Sequence, residues 1–450
     1  MVGSLRVVAM VARGLVRQIA CFYDNRRGAS AIVVALLAVP MVVGVGMGVD
    51  YILAQQRQEK LNAICDTAAL AGETPAMMTQ SWSAGQIAAI RMFAAQASAY
   101  TSVNNLNASV TGQDTATGTG TTRTITVSYT AQSPNIFSAL LNIASLPIQG
   151  TSTATQSQAP NINYYLLLDT SPSMAIAATQ AGIATMVANT SSQGGCAFGC
   201  HEINPSSDNL GNPGGEDNYA LARALSVPLR IDLVNSATQS MLSLAPTIGA
   251  QNNATYKFGV YTFDYTIHQL ATLGTASAAQ TAANNLQQLE VYNNGGWLTQ
   301  NTYNDDEDTN WDGAMSSLYS GTYQMPTPGL GSSAPGDTPQ EVLFIVSDGV
   351  IDESSSGNRL ISPVGEFSAW CTNIKARGIR IAFLYTTYYP LTTNGFYNSY
   401  VAPFEAQIGP TYAQGCASPG LYFEVSTGGD ITSAMNTLFQ KTVTTAHLTQ

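Results

Sequence analysis

Two uninterrupted apolar runs, far apart along the chain, each stop on a carboxylate. Tyr164-Tyr165-Leu166-Leu167-Leu168 leads into Asp169, and Val342-Leu343-Phe344-Ile345-Val346 leads into Ser347-Asp348-Gly349. An apolar run of about five residues between turn formers predicts a strand buried on both faces, as in the middle of a parallel sheet. After the first run, Asp169, Ser171 and Ser173 alternate along Asp-Thr-Ser-Pro-Ser. In a loop leaving the C-terminal edge of a strand, that spacing turns three oxygen ligands toward one point. Hard oxygen donors with one charge among them suit Mg²⁺ or Mn²⁺, provided more oxygens arrive from elsewhere. The same residue types also open turns and cap helices without any metal.

The second run supplies another carboxylate, Asp348, at a strand end, where open α/β sheets bind their ligands. Asp308-Thr309-Asn310-Trp311-Asp312 reads as a loop entering a helix, with Thr309 placed to offer a hydroxyl. Around these stretches the pattern alternates as a Rossmann-like sheet flanked by helices should. Strands are predicted at 256–263, 379–385 and 421–425, with a short edge partner at 267–270. Helices are predicted at 227–244, 276–289, 311–319 and 364–377, near 401–408, and from Asp430 onward. An insertion at about 175–226 separates the first carboxylate loop from its helix.

The N-terminal pattern is different. Residues 29–49 hold no charge, and about 21 residues at about 1.5 Å each span a hydrocarbon core of about 30 Å. Arg6, Arg13, Arg17, Arg26 and Arg27 precede this run and Asp50 follows it. The arginines place residues 1–28 in the cytoplasm and everything after Asp50 outside it. A cleaved signal peptide is the alternative, but the run is longer than a usual h-region and no small-x-small site follows cleanly. Gly44 and Gly48 form a G-x-x-x-G pair that would let two such helices approach, as in a homo-oligomer. From 51 to 71, Ile52, Leu53, Leu61, Ile64, Ala68 and Leu70 interleave with polar residues as on a helix with one apolar stripe. A helix is predicted at 84–100, a Gly/Thr turn at 115–120, an exposed strand at 121–129 and a short helix at 135–146. A polar linker at 151–160 then leads to the α/β head. The expected architecture is a transmembrane helix (29–49), a small α+β stalk (50–150), the linker, and a head at 161–450.

Charged residues make up 10% of the 450, and the formal charge is −11. This acidic balance argues against a nucleic-acid footprint, which needs clustered Lys and Arg. The low charge and abundant Ser, Thr, Asn and Gln suit an extracytoplasmic chain. Cys196-Ala197-Phe198-Gly199-Cys200-His201 has three residues between its cysteines, where haem attachment uses two. A local disulfide pinning the insertion is the favoured reading, with haem and a metal thiolate as alternatives. Cys21 is expected to be reduced, and Cys65 to be a buried thiol or to pair between chains. Asn304 to Asp308 carries four acids just before Thr309; it is an acidic loop tip or a Ca²⁺-attracting one.

Together, the strand ending in D-x-S-x-S, the distant Thr309 and the strand ending in Asp348 resemble the von Willebrand factor A (vWA) family. The resemblance covers roughly Asn161 to the C-terminus. It implies a metal-ion-dependent adhesion site with Asp169, Ser171, Ser173, Thr309 and Asp348 as ligands, the aspartates acting partly through water. Mg²⁺ is the implied ion, or Mn²⁺ or Ca²⁺, with one position left for a partner's carboxylate.

A second resemblance rests on Arg26-Arg27-Gly28-Ala29-Ser30, the apolar span, Val49-Asp50-Tyr51, and Leu61-Asn62-Ala63-Ile64-Cys65-Asp66-Thr67-Ala68-Ala69-Leu70-Ala71-Gly72. These are similar to the N-terminal segment of TadE/TadG-like Flp pilus-assembly proteins of the tight-adherence (Tad) machinery. With a vWA-like head they point to the TadG-like branch, which also supports a Cys371–Cys416 pair. Nothing in the sequence supplies catalysis: no Ser/His/Asp arrangement and no phosphate-cradling loop. The leading expectation is a non-enzymatic, single-pass protein of the bacterial inner membrane that binds a Tad or Flp pilus partner through the metal. The alternatives are a surface adhesin gripping a host or matrix ligand, and an extracytoplasmic haem or metal redox protein resting on Cys196, Cys200 and His201.

Overall fold

The computed structural model describes residues 27–98, 102–117, 120–191, 194–197, 218–284, 309–355, 358–366, 369–395, 397–426 and 429–445. They fall into two compact units.

The first unit is built on one helix, α1 (Arg27–Ala71), of 45 residues. At about 1.5 Å per residue it is roughly 68 Å long. Its apolar half carries exposed Ile32, Val34, Leu36, Leu37, Val39 and Val42. By length and composition it is the one helix among the described residues able to cross a membrane. Pro40 lies inside it. The second half buries a stripe of Ala54, Leu61, Ile64, Cys65 and Ala68; of the expected stripe Leu61, Ile64 and Ala68 are in it, while Ile52 and Leu70 are exposed. The stripe packs with Phe93 of α2 (Trp82–Ser98) and with Ile125, Val127, Tyr129 and Ile148 of a three-stranded sheet. Polar pins fix the register. The Tyr129 hydroxyl donates to Gln58 O at 3.0 Å and to Asn62 Oδ1 at 2.8 Å, and the buried Cys65 thiol to Val127 O at 3.0 Å.

That sheet has the order β1 (Asn104–Thr117), β2 (Gly120–Pro134), β3 (Ser145–Gln158). Two sequence expectations need correcting here. Residues 151–158 are not linker but the second half of β3, and β1 has no counterpart in the expected elements. Both strands are rich in Ser, Thr, Asn and Gln, so the alternation that marks a strand is muted. Hydroxyl pairs across the strands stand in for apolar ones: Thr126 with Thr153 at 2.9 Å and Ser128 with Thr151 at 3.0 Å. The helix expected at 135–146 is only a 3₁₀ turn, Ser138–Leu141, which Asn142 ends in the left-handed conformation at φ 69°.

The second unit is an α/β head. Its six-stranded sheet runs β11-β10-β7-β4-β5-β6, where β4 is Ile162–Asp169, β5 Tyr256–Phe263, β6 Ile267–Gly274, β7 Gln340–Ser347, β10 Arg380–Thr386 and β11 Tyr422–Val425. All neighbours are parallel except β5 and β6. Every residue of β4 and β7 is buried, as their unbroken apolar runs predict. Helices α3 (Arg230–Asn252) and α4 (Ile431–Thr445) pack on each other, and Phe439 of α4 meets Tyr164 at 5.2 Å. Helix Trp311–Tyr319 lies where it was expected, with Trp311 edge-on to Phe263. The helix expected from 364 begins only at Trp370: a hairpin of β8 (Val350–Ser355) and β9 (Asn358–Pro363) precedes it, and residues 364–366 are the turn that leaves this hairpin. Cys371 and Cys416 form a disulfide.

Strand order sets the place of any site. From the central β4 the chain winds one way through β5 and β6, and the other way through β7, β10 and β11. The direction reverses between β4 and β7, so a crevice is expected at their C-terminal ends. Asp169 and Asp348 stand there.

Candidate metal centre

Asp169 ends β4, fully buried, and its carboxylate is fixed by its own surroundings. Oδ1 accepts from the Ser171 amide at 3.0 Å and from the Ser171 hydroxyl at 2.6 Å. Oδ2 accepts from the Ser347 hydroxyl at 2.6 Å. Ser171 and Ser173 hydroxyls lie 3.1 Å apart. The loop is folded back by the Met174 amide donating to Ser171 O at 2.9 Å, and Thr170 donates its amide to Phe263 O at the end of β5. Asp169, Ser171 and Ser173 are therefore one hydrogen-bonded group, as their alternate spacing predicts.

Asp348 joins this group through neighbours. It follows Ser347, whose hydroxyl already holds Asp169. Its own Oδ2 accepts from Arg230 Nη1 at 3.1 Å and from the Tyr388 hydroxyl at 2.6 Å, and its Oδ1 from the Val350 amide at 3.2 Å. Arg230 is buried, lies 4.7 Å from the centre of the Tyr388 ring, and gives Nη2 to both Thr386 O and Thr386 Oγ1 at 2.7 Å. One guanidinium thus ties the first turn of α3, the end of β10 and Asp348 together.

Thr309 is held at the same edge but makes no hydrogen bond to the other four. Its amide donates to Asp352 O at 2.9 Å, and the next amide, Asn310, donates to Asp264 O at 2.7 Å. Asp264 directly follows Phe263, the residue that holds Thr170. The Thr309 hydroxyl has no hydrogen-bond partner among the described residues. The acidic stretch 304–308 lies outside the described residues.

Electrostatics make this pocket unusual. Burial, followed by the charge of Asp348, pushes the Asp169 pKa up to about 7. Burial and then the Asp348 charge also raise the Tyr388 pKa, so that phenol remains a donor. For Arg230, burial pulls downward, but Asp348 and Tyr388 outweigh it and the net direction is up. Among the described residues, the two buried carboxylates thus face one cation, Arg230, which pairs with Asp348 and leaves Asp169 without a cationic partner.

The residues fit a hard divalent ion by this chemistry. Asp169, Ser171, Ser173, Thr309 and Asp348 offer only oxygen, a cation would meet the unmatched charge, and the Thr309 hydroxyl is uncommitted. No group of three or more His, Cys, Asp or Glu side chains stands together among the described residues, so the donor set is rich in hydroxyls.

Sequence reasoning did not single out Arg230, Tyr388 or Ser347. Arg230 had one signal: a cation in the first turn of a helix opposes the helix dipole and needs a tertiary reason to be there. Tyr388 had none. At the other candidate, Cys196 is disulfide-bonded, which removes its sulfur from haem or thiolate chemistry. Cys200 and His201 lie outside the described residues.

Comparison with known proteins bears on the two units separately. The family model described as "Putative Flp pilus-assembly TadE/G-like" matches residues 28–97. The chain carries a TadE/G-like segment.

That segment comprises most of α1 and nearly all of α2. A comparison with curated proteins finds no match. Among solved structures, the chain is similar to BatB from Bacteroides thetaiotaomicron, at 11% identity and a TM-score of 0.32 over 62% of this chain and 98% of that one. It is similar to the vWF domain of the type V pili tip protein Mfa5 from Porphyromonas gingivalis, at 9% identity and 0.29, over 63% and 95%. Proximal thread matrix protein 1 from the mussel byssus, with a zinc-occupied MIDAS motif, gives 11% and 0.29 over 64% of this chain. The chain spans about half of the mussel protein, 46% in that crystal and 49% in another. The chain joins a segment similar to the TadE/G-like model to a six-stranded α/β head.

Proposed function

We propose that this chain is a non-enzymatic, membrane-anchored component of Flp pilus (Tad) assembly, and that its head binds a protein partner through a divalent cation. The anchor is α1, with residues before 29 in the cytoplasm and the head on the far side of the inner membrane. The single observation that carries the binding reading is the pair of buried aspartates at the sheet's switch point, left one charge short of neutral. Asp169, Ser171, Ser173, Thr309 and Asp348 would hold Mg²⁺, Mn²⁺ or Ca²⁺, and the bound ion would supply a Lewis-acidic position for a carboxylate. Arg230 and Tyr388 orient Asp348, while Ser347 orients Asp169. A Tad or Flp component with an exposed Asp or Glu is the partner this chemistry selects. The TadE/G-like family match supports the assembly context.

The test uses the full chain in nanodiscs as bait for Flp pilus components, with Mg²⁺, with EDTA, and with Asp169→Ala. Capture is expected with Mg²⁺ alone. Mn²⁺ binding, followed by its paramagnetic resonance signal, should vanish in Asp169→Ala and weaken as pH falls below about 7, where a proton competes for Asp169. Equal capture in all three conditions refutes the metal bridge.

A further inference from the structure

The loop between β2 and β3 bears an apolar surface unrelated to the metal centre. Ile136, Leu140, Leu141 and Ile143 are all exposed, Leu140 to 78%. Residues 135–148 contain no charge. A single exposed leucine is ordinary, but four large apolar side chains within eight residues form a patch that asks for an apolar partner.

The loop is bolted to the membrane helix at a defined height. Asp50, the first charge after the uncharged run, is buried. Its carboxylate accepts from the amides of Ile136 at 2.9 Å, Phe137 at 3.0 Å and Ser138 at 2.7 Å, and from the Ser138 hydroxyl at 2.8 Å. Arg57, two turns further on, donates to Ser133 Oγ at 2.7 Å and Pro134 O at 2.9 Å. Phe137 reaches the other way. Its side chain lies so close to Gly46 that a Cβ there would stand 2.5 Å from it. Gly46 is four residues inside the apolar run, about 6 Å below Asp50 along the axis. Gly46 therefore has a packing reason of its own, separate from the Gly44 and Gly48 pair, which has nothing within 4 Å.

We infer that this loop is a second membrane contact: a wedge whose Ile136, Leu140, Leu141 and Ile143 insert into the outer leaflet beside α1, at the boundary of headgroups and acyl chains. The occupant is the bilayer because the loop is fixed to the helix at the level where its uncharged span ends, and descends along it. Interfacial elements bury apolar residues about 5–10 Å deep, the same range as the Gly46 offset. Three side chains thus carry the wedge: Asp50 holds the loop's backbone, Arg57 its entry, and Phe137 its depth. Such a wedge limits how far α1 tilts or turns, and so fixes the stalk's orientation to the membrane surface. The inference rests on α1 being a membrane span, and the experiment separates the two.

The full chain, with Cys21 replaced by Ser and the buried Cys65 retained, is reconstituted into vesicles at less than one copy each. A nitroxide is placed singly at Leu140→Cys, at Val39→Cys in mid-span, or at Thr67→Cys, an exposed position on α1 well beyond Asp50. Collision with a water-soluble nickel chelate and with oxygen is then measured by paramagnetic resonance. The expected result is strong protection from the chelate at 39, several-fold protection at 140 relative to 67, and higher oxygen collision at 140 than at 67. Protection at 39 with full chelate access at 140 overturns the wedge and leaves the anchor standing. Chelate access at 39 overturns the anchor and the wedge together. Protection at 140 that appears only in crowded vesicles assigns the patch to a second copy, and also overturns the wedge.

Discussion

Asp50 and Asp169 are both buried aspartates, and their surroundings treat the charge in opposite ways. Asp50 receives three amide hydrogens and a hydroxyl, all from one short turn, so its charge is spread over donors that have no other partner. Asp169 receives three donors, but burial, and after it the charge of a second carboxylate, Asp348, pushes its pKa up to about 7. One site is closed, and nothing further is needed to stabilise it. The other is held in shape while its charge is left without a cationic partner, the condition expected of a binding site under the proposed function. Saturation of hydrogen bonds alone does not tell them apart; the balance of charge does.

The sharpest way to break that contrast is to remove Arg230, the one cation paired with the candidate metal centre's aspartates among the described residues. Arg230→Met leaves Asp348 buried with Tyr388 as its remaining side-chain donor. Removing one partner of a buried ion pair costs about 3–5 kcal/mol. The head of Arg230→Met is expected to melt well below wild type in EDTA, and to recover more of the loss in Mg²⁺ than wild type gains. A calorimetric scan with and without Mg²⁺ measures both. Recovery no larger than the wild-type gain would mean that Arg230 and the ion do not share the same charge deficit.

Asp50→Ala probes the closed side of the comparison. It orphans the amides of 136, 137 and 138 together, while metal binding in the head stays unchanged. Hydrogen exchange at those amides is expected to accelerate by roughly tenfold or more, as the loop opens independently of the global fold. Mn²⁺ affinity serves as the control. A change in it would show that the mutation acts more widely than on its loop.

These two sites were unequally visible in the sequence, for a physical reason. β4 and β7 are buried on both faces, so each is written as an unbroken apolar run, and an Asp at its end stands out. The hydroxyls of Ser171 and Ser173 follow at alternate positions, and the whole group is local. Asp50 was visible only as the end of an apolar run, because its partners lie 86 to 88 residues away. Arg230 is 118 residues from Asp348 and 156 from Thr386, and no local pattern encodes such a meeting. The stalk strands escaped for a different reason. β1 and β3 are lined with Thr, Ser, Asn and Gln, which read equally as linker until cross-strand hydroxyl pairs are seen. The β8–β9 hairpin hid behind Asp352, Glu353 and a run of serines.

A third buried carboxylate sharpens the comparison with the smallest effect. Glu341 lies in β7, almost fully buried, with Asn163 of β4 donating to Oε1 at 2.9 Å. Burial raises its pKa from 4.5 to about 7, more than Asn163 lowers it. Below pH 4.5 the side chain is protonated in both folded and unfolded chains and costs nothing. Between about 4.5 and 7 the folded chain keeps a proton that the unfolded chain has lost, so stability falls as pH rises, and the loss is complete above about 7. Glu341→Gln keeps an oxygen for Asn163 and cannot ionise. It is expected to match wild type at pH 4 and to exceed it at pH 8 by about 1–2 kcal/mol, a gain of a few degrees in Tm. Asp169 bends the same curve in the same direction, but it is present in both proteins and cancels in their difference. A difference that is flat from pH 4 to 8 would place Glu341 with Asp50 as a charge already met by its neighbours, leaving the Asp169–Asp348 pair alone as the open one.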